Sequence, residues 1–276
     1  MKMEDRREYI GGSDIAAIFG VCSYKTPLQL YLEKTSEEEL EHEDNEYCYW
    51  GRALEDDVRQ AFSERNGLDV RYTQDIIIHP SYDFMRAHLD GFIDEENAVL
   101  EIKCASSYMS SKWGESETDN IPLNYLFQVA YYCFITGADK AYIAALIGGN
   151  TYRQYVYKRN RELESNIVKK VFEFWHCVQT RTPPKASNTE DAKLLYTMVD
   201  DTSIVADRVI YEKYAALLEV KKQKKDLEKK EKQLKMDIVN FMQNKTSLSD
   251  EGGEVLVTWK LAKNGQRVMK IKGDLE

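Results

Sequence analysis

Apolar positions change their period several times along the chain, and each change marks an element. Ser13 and Asp14 stand where they can cap a short apolar helix, SDIAAIFG, that stops at Gly20. A second helix starts at Thr26-Pro27, with proline in its first turn. A third is predicted over 50–67, where Leu54, Val58, Ala61 and Phe62 fall at helical spacing and Gly67 supplies a stop. The period then shortens. Residues 74–79, 84–93 and 98–104 read as strands, with the acidic turn DEEN between the last two. Residues 124–137 predict a buried helix, and AYIAALIGG with TYRQYVYK a hairpin around Gly148-Gly149-Asn150. Over 160–179, Ile167, Val171, Phe174 and Trp175 share one side of an amphipathic helix. Arg181-Thr-Pro-Pro interrupts the pattern, which divides the chain into a domain over 1–182 and an extension over 183–276. The extension holds one long helix over 203–243 and two β-like runs, GEVLVTWK and QRVMKIK, around Lys263-Asn264-Gly265. Val220, Leu227, Leu234 and Phe241 recur every seven residues, but one apolar position per heptad does not make a self-sufficient coiled coil.

Composition narrows the function classes. The chain has 276 residues, 43% hydrophobic and 31% charged, enough apolar material to fill a core. No apolar run approaches the roughly 20 residues of a membrane helix, and MKMEDRREYIGG lacks the apolar stretch of a secretory signal. Five widely spaced cysteines without a CxxC pair fit free thiols, and with them a cytoplasmic location. The net charge of −9 disfavours non-specific coating of DNA, yet it suits a site that gathers divalent cations. Charge is also uneven. Residues 33–46 carry eight acids against one lysine, and 221–235 carry eight lysines against three acids.

The chemistry concentrates in HLDG at 88–91 and LEIKC at 100–104. If these are two arms of a hairpin with Glu95-Glu96 as its loop, Asp90 lies across from Glu101, with Cβ atoms about 5 Å apart. Two carboxylates that close repel unless a cation sits between them. Strand alternation puts Lys103 on the same face as Glu101 and turns Ile102 away. Hard oxygen ligands of this kind suit Mg²⁺, with Mn²⁺ as a substitute. A solvated hairpin face is the plainer reading of Glu-x-Lys alone. The apolar residues around it argue for a central strand, where charges need a reason.

The Asp90…Glu101-x-Lys103 set resembles the PD-(D/E)xK nuclease motif, although Leu89 stands where the motif's proline would be. Together with RREYIGGSDIAAIFG, GRALE, the HLDG–LEIK pair and FQVAYY, it resembles the YqaJ-like viral recombinases, relatives of the lambda-type alkaline exonucleases, over about residues 6–178. That resemblance implies a restriction-endonuclease-like α/β (α+β) core, a mixed central sheet flanked by helices, followed by a long C-terminal helix and a small β-hairpin. It implies metal ligation by Asp90, Glu101, the Ile102 carbonyl and Glu55, and phosphate stabilisation by Lys103. Gln128 and Tyr132 match the Q-x-x-x-Y motif of the related nuclease branch and share a helix face. Ser13 and Arg6 match a 5′-phosphate pocket, with Arg52 as a further phosphate contact. Plainer readings stand beside these: a surface acid next to Asp56 and Asp57 for Glu55, core packing for Gln128 and Tyr132, an N-cap for Ser13. Ser106, Ser107, Lys112 and Trp113 follow the catalytic strand, as a DNA path or as an ordinary polar loop.

The implied activity is Mg²⁺-dependent 5′→3′ digestion of duplex DNA ends, leaving 3′ single strands for recombination by strand annealing. The implied partners are double-stranded DNA ends and a single-strand-annealing recombinase, and the implied assembly is a homo-oligomer such as a ring-shaped trimer. A structure-specific or restriction-like endonuclease or nickase would use the same core without the phosphate pocket. A non-catalytic DNA-binding scaffold would have no need of an intact acid–acid–lysine set.

Overall fold

The computed structural model of the protein describes residues 5–37, 45–72, 74–263 and 265–273. Part of the acid-rich stretch at 33–46, and Asn264 in the last turn, lie outside the described residues. The chain forms two compact units, 1–199 and 200–276. The first unit thus runs past the break expected at 182. The added segment contains a short helix, Thr189–Leu195, whose Asp191 accepts a hydrogen bond from Thr26 Oγ1 at 2.8 Å. That contact ties it to the N-terminal part of the fold.

The first unit is built on a four-stranded mixed sheet of β3 (Gly91–Ile93), β4 (Ala98–Ala105), β5 (Lys140–Ile147) and β6 (Thr151–Lys158), in that spatial order. β3 and β6 run antiparallel to their neighbours, whereas β4 and β5 are parallel. A parallel pair needs a crossover, and helix α5 (Leu123–Thr136) provides it. β4 alternates between two buried faces. Val99 joins Ala141, Ile143 and Ala145 in a core with the α5 residues Val129, Ala130 and Cys133. Ala98, Leu100 and Ile102 pack on the opposite face with Val58 and Phe62 of helix α4 (Glu55–Asn66). A strand covered on both faces reads as a nearly continuous apolar run, so Glu101 and Lys103 stand out within it. Helices α1 (Gly12–Ile18), α2 (Pro27–Thr35) and α6 (Arg161–Gln179) complete this unit together with a small separate sheet of β1 (Ile77–His79) and β2 (Tyr82–Ala87).

Several expected elements change shape. The strand predicted over 84–93 is two strands in two sheets, because the chain bends between β2 and β3. Gly91 starts β3 pressed so closely on Val70 that a Cβ there would come within 2.5 Å of Val70 Cγ1. The helix predicted over 50–67 breaks at Leu54 into α3 (Glu46–Ala53) and α4. The break turns Glu55, Asp56 and Asp57 into the first turn of α4, where acids favour the positive end of the helix dipole. The β3–β4 loop is Asp94–Asn97 rather than Glu95-Glu96, with Asn97 in the left-handed region at φ 46°. It keeps the strands in the expected register, with Gly91 paired to Leu100 and Ile93 to Ala98, and Asp90 lies at the bend just before Gly91.

The second unit holds helix α8 (Arg208–Met242) and a three-stranded antiparallel sheet. The helix starts later than expected because Asp207 caps it, accepting the Ile210 N–H at 2.8 Å. The two terminal runs form the expected hairpin, β8 (Val255–Leu261) and β9 (Arg267–Ile271), joined by an unforeseen short strand β7 (Ser247–Ser249). Arg267 organises this unit by stacking on Trp259 and donating to the carbonyls of Trp259, Gln243 and Lys245. Among the described residues no helix is long and apolar enough to cross a membrane.

Candidate active site

The bend between β2 and β3 delivers Asp90 to the edge of β4 just before β3 begins. There Asp90 Oδ2 accepts the Ile102 N–H at 2.7 Å. In an extended strand a residue's N–H and C=O point to the same edge, so the Ile102 carbonyl shares that edge with Asp90. Glu101 projects from the same strand toward α5 and is 1% exposed. Its Oε1 accepts from Gln128 Nε2 at 2.6 Å and pairs with Lys103 Nζ. Its other oxygen, Oε2, is buried without a hydrogen-bond partner in the protein. A buried carboxylate oxygen without a hydrogen-bond partner is rare and costly.

The electrostatics agree. Burial, then Asp90, push the Glu101 carboxyl up to about 8, against the pull of Lys103. Burial works to lower Lys103, but Glu101 and Asp90 outweigh it and hold the lysine above its ordinary value. The shift favours the ammonium form of Lys103, a compact positive charge of the kind that neutralises phosphate. The Tyr125 ring faces it, with the ammonium 5.3 Å from the ring centroid.

Glu55 enters from the first turn of α4. It is raised by burial and by Asp90, and opposed by Arg59. Its Oε1 accepts from Arg59 Nη2 at 2.6 Å. The donor set of Asp90, Glu101, the Ile102 carbonyl and Glu55 is all hard oxygen, which fits Mg²⁺ or Mn²⁺. Among the described residues no three His, Cys, Asp or Glu side chains already converge as a ligand shell. Arg59 occupies Glu55, and Lys103 occupies one oxygen of Glu101.

Gln128 and Tyr132 meet as the i, i+4 spacing predicts. Gln128 Nε2 donates both to Glu101 and, at 3.1 Å, to the Tyr132 hydroxyl. The Tyr132 ring in turn packs on Gly12, where a built Cβ would lie 2.4 Å from ring carbon Cε1. Tyr132 thus links Glu101, through Gln128, to the N-terminal segment. Gly12→Ala is expected to cost about 1–3 kcal/mol, as overpacking does, read as a lowered midpoint in thermal denaturation.

Around Gly12 lie the residues predicted for phosphate binding. Arg6 Nη2 donates to Ser13 Oγ at 2.8 Å. Both side chains are exposed, so a phosphate can reach the pair. Ser13 is not the N-cap of α1. That place belongs to Gly11, whose N–H is bound by the Asp14 carboxylate at 3.0 Å, which leaves the serine hydroxyl for other partners. The loop is held from below by Lys34, which was not foreseen as a site residue. Its buried ammonium donates to the carbonyls of Arg6 and Tyr9, each at 2.6 Å, and to Asp14 at 2.8 Å. The signal was present, since Lys34 is the lone base in the acid-rich stretch at 33–46. Arg52 sits in the last turn of α3. Trp113 belongs to the core at 4% exposure, stacked on Tyr125, rather than to a DNA path. Ser106 caps the 3₁₀ turn that follows β4.

Comparison with known proteins adds the following. Residues 3–139 match the YqaJ-like viral recombinase domain, a span that contains Glu55, Asp90, Glu101, Lys103, Gln128 and Tyr132. The protein YqaJ of Bacillus subtilis (strain 168) is 40% identical over 174 residues, or 62% of this chain. The match spans about half of that relative's length, 54%. Two crystal structures share the fold. One is an alkaline exonuclease from Laribacter hongkongensis, with a TM-score of 0.53 and 17% identity over 64% of this chain and 91% of that one. The other is a phage-related exonuclease from Haemophilus somnus 129PT, with a TM-score of 0.50 and 14% identity over 63% of this chain and 96% of that one. The Laribacter enzyme has also been crystallised with dAMP, in a structure matching at TM-score 0.53 and 17% identity over 70% and 95% of the two chains.

Proposed function

We propose, from the match of residues 3–139 to the YqaJ-like viral recombinase domain, that the chain is a Mg²⁺-dependent 5′→3′ exonuclease of duplex DNA ends. It leaves 3′ single strands for phage-type recombination by annealing. The observation that carries this reading is Glu101: a buried carboxylate with one oxygen unpartnered, paired with Lys103 and raised by the charge of Asp90. A buried charge with that much repulsion around it is expensive, and a divalent cation relieves it. The exonuclease names of the structural relatives support the same reading.

Asp90, Glu101 and the Ile102 carbonyl would hold the ion, with Glu55 joining through the oxygen that Arg59 does not hold. When bound, the ion activates a water for attack and stabilises charge on the phosphate. The remaining work falls to side chains. Lys103 places a fixed positive charge at the scissile phosphate. Gln128 orients Glu101 through one oxygen and leaves Oε2 free. Tyr132 holds Gln128 and braces the N-terminal loop. Arg6 and Ser13 grip the terminal 5′-phosphate, which sets register from the strand end and separates an exonuclease from an endonuclease that needs no such grip. A homo-oligomer, a ring-shaped trimer in the first instance, and a single-strand-annealing partner belong to the same proposal, as does a cytoplasmic site of action.

The test is digestion with Mg²⁺ of duplexes bearing either a 5′-phosphate or a 5′-hydroxyl, with closed circles alongside. The wild type is expected to shorten the phosphorylated strand preferentially. The Arg6→Ala and Ser13→Ala proteins are expected to lose most of that preference, roughly tenfold for one charge-assisted contact worth about 1.5 kcal/mol, while retaining Mg²⁺-dependent cleavage. Equal cutting of circles by the wild type would select the endonuclease reading. No cutting of any substrate would select the scaffold.

A further inference from the structure

We propose that Arg59 is the positioning residue that sets the distance between the two sides of the metal centre, the α4 side carrying Glu55 and the β3–β4 side carrying Asp90. The proposal rests on the nuclease reading above. Arg59 is 9% exposed, which is unusual for an arginine. Each nitrogen of its fork meets a different partner. Nη2 donates to Glu55 Oε1 at 2.6 Å, Nη1 pairs with Asp56, and Nε donates to the backbone carbonyl of Asp90 at 2.7 Å. The guanidinium lies 4.1 Å from the centroid of the Tyr72 ring, which fixes its plane.

The first two contacts are ordinary neighbours on a helix, at i+4 and i+3. The third is different. It reaches across the fold to the bend that presents Asp90. Asp90 is therefore held at both ends, its carbonyl by Arg59 and its carboxylate by the Ile102 N–H. One rigid, planar group thus fixes the main chain of one proposed ligand and the side chain of another. Lysine could keep the charge but could not make both contacts in one plane. Groups that hold metal ligands in place through hydrogen bonds commonly change metal affinity by about 10–100-fold when removed.

The experiment measures Mn²⁺ binding without DNA, by loss of the free-ion EPR signal, in the wild type, Arg59→Lys, Arg59→Gln, Tyr72→Leu and Asp56→Asn. Arg59→Lys and Arg59→Gln are expected to raise the half-saturating Mn²⁺ concentration by about 10–100-fold. In DNA digestion, turnover at saturating Mn²⁺ should fall by less than that. Tyr72→Leu frees the plane without removing the fork and serves where an Arg59 variant fails to fold. It should weaken binding by a smaller factor. Asp56→Asn should bind as the wild type does. Wild-type affinity in Arg59→Lys and Tyr72→Leu would overturn the proposal, as would an Asp56→Asn protein weakened as much as Arg59→Lys. A wild type that neither binds Mn²⁺ nor digests DNA would instead overturn the nuclease reading.

Discussion

Replacing Lys103 by alanine is expected to lower DNA digestion by about 10²–10³-fold at saturating Mg²⁺, the usual effect of deleting one preorganised charge stabiliser. The reason lies in where Lys103 is held. It projects from a strand buried on both faces, pairs with Glu101 and faces the Tyr125 ring, so its ammonium is already in place before substrate arrives. Asp90 and Glu101 hold its proton on. Its contribution is charge, and Lys103→Arg should recover part of the rate where Lys103→Met should not. Stability should fall along with activity. Removing Lys103 strips Glu101 of its partner, so the metal-free alanine variant should unfold at a lower temperature. Single-turnover digestion and a thermal melt in EDTA check the two halves. A Lys103→Ala enzyme within tenfold of wild type would place the scissile phosphate elsewhere.

The second large effect concerns Glu101→Gln, which keeps the shape and the contact with Gln128 but removes the buried charge. Activity should fall to background, because the ion loses its central ligand. In EDTA, the same change should make the protein more stable at neutral and alkaline pH. The sign follows from the carboxyl being raised in the folded state, to about 8 from an ordinary value of 4.5. Below pH 4.5 it is protonated whether the chain is folded or not, and it costs nothing. Between 4.5 and 8 the unfolded chain releases a proton that the folded protein keeps, so wild-type stability drains away as pH rises and levels off above 8. At about 1.4 kcal/mol per unit, the loss amounts to a few kcal/mol. Urea denaturation of both proteins in EDTA from pH 5 to 9 measures this. The wild type should lose midpoint concentration across the range, and Glu101→Gln should lose much less. Added Mg²⁺ should restore the wild type alone. Parallel curves for the two proteins would mean that Glu101 is not a strained acid.

Much of this was legible in the chain, and the parts that were not share a cause. HLDG and LEIKC announced an acid, an acid and a lysine on one surface because strand alternation is strict. The register survived even though the loop between the strands is longer than expected. Gln128 and Tyr132 were legible from the helical i, i+4 rule. Arg59 and Lys34 were not found, although Arg59 also stands at i+4 from Glu55. Each owes its role to contacts with backbone carbonyls distant in sequence, Asp90 for one and Arg6 and Tyr9 for the other. Carbonyls are the same in every residue, so no side-chain pattern advertises them. The break of the 50–67 helix at Leu54 was hidden for a related reason. Its apolar spacing continues through the break, and only the acidic triplet that follows marks a new helix start.

The most direct measurement is the anomalous signal of a crystal of the wild-type protein soaked in Mn²⁺. A peak bounded by Asp90, Glu101 Oε2 and the Ile102 carbonyl, with Glu55 beside it and still held by Arg59, is the predicted result. A protein that binds Mn²⁺ in solution yet shows no peak there, with Glu101 Oε2 still unpartnered, would contradict the account.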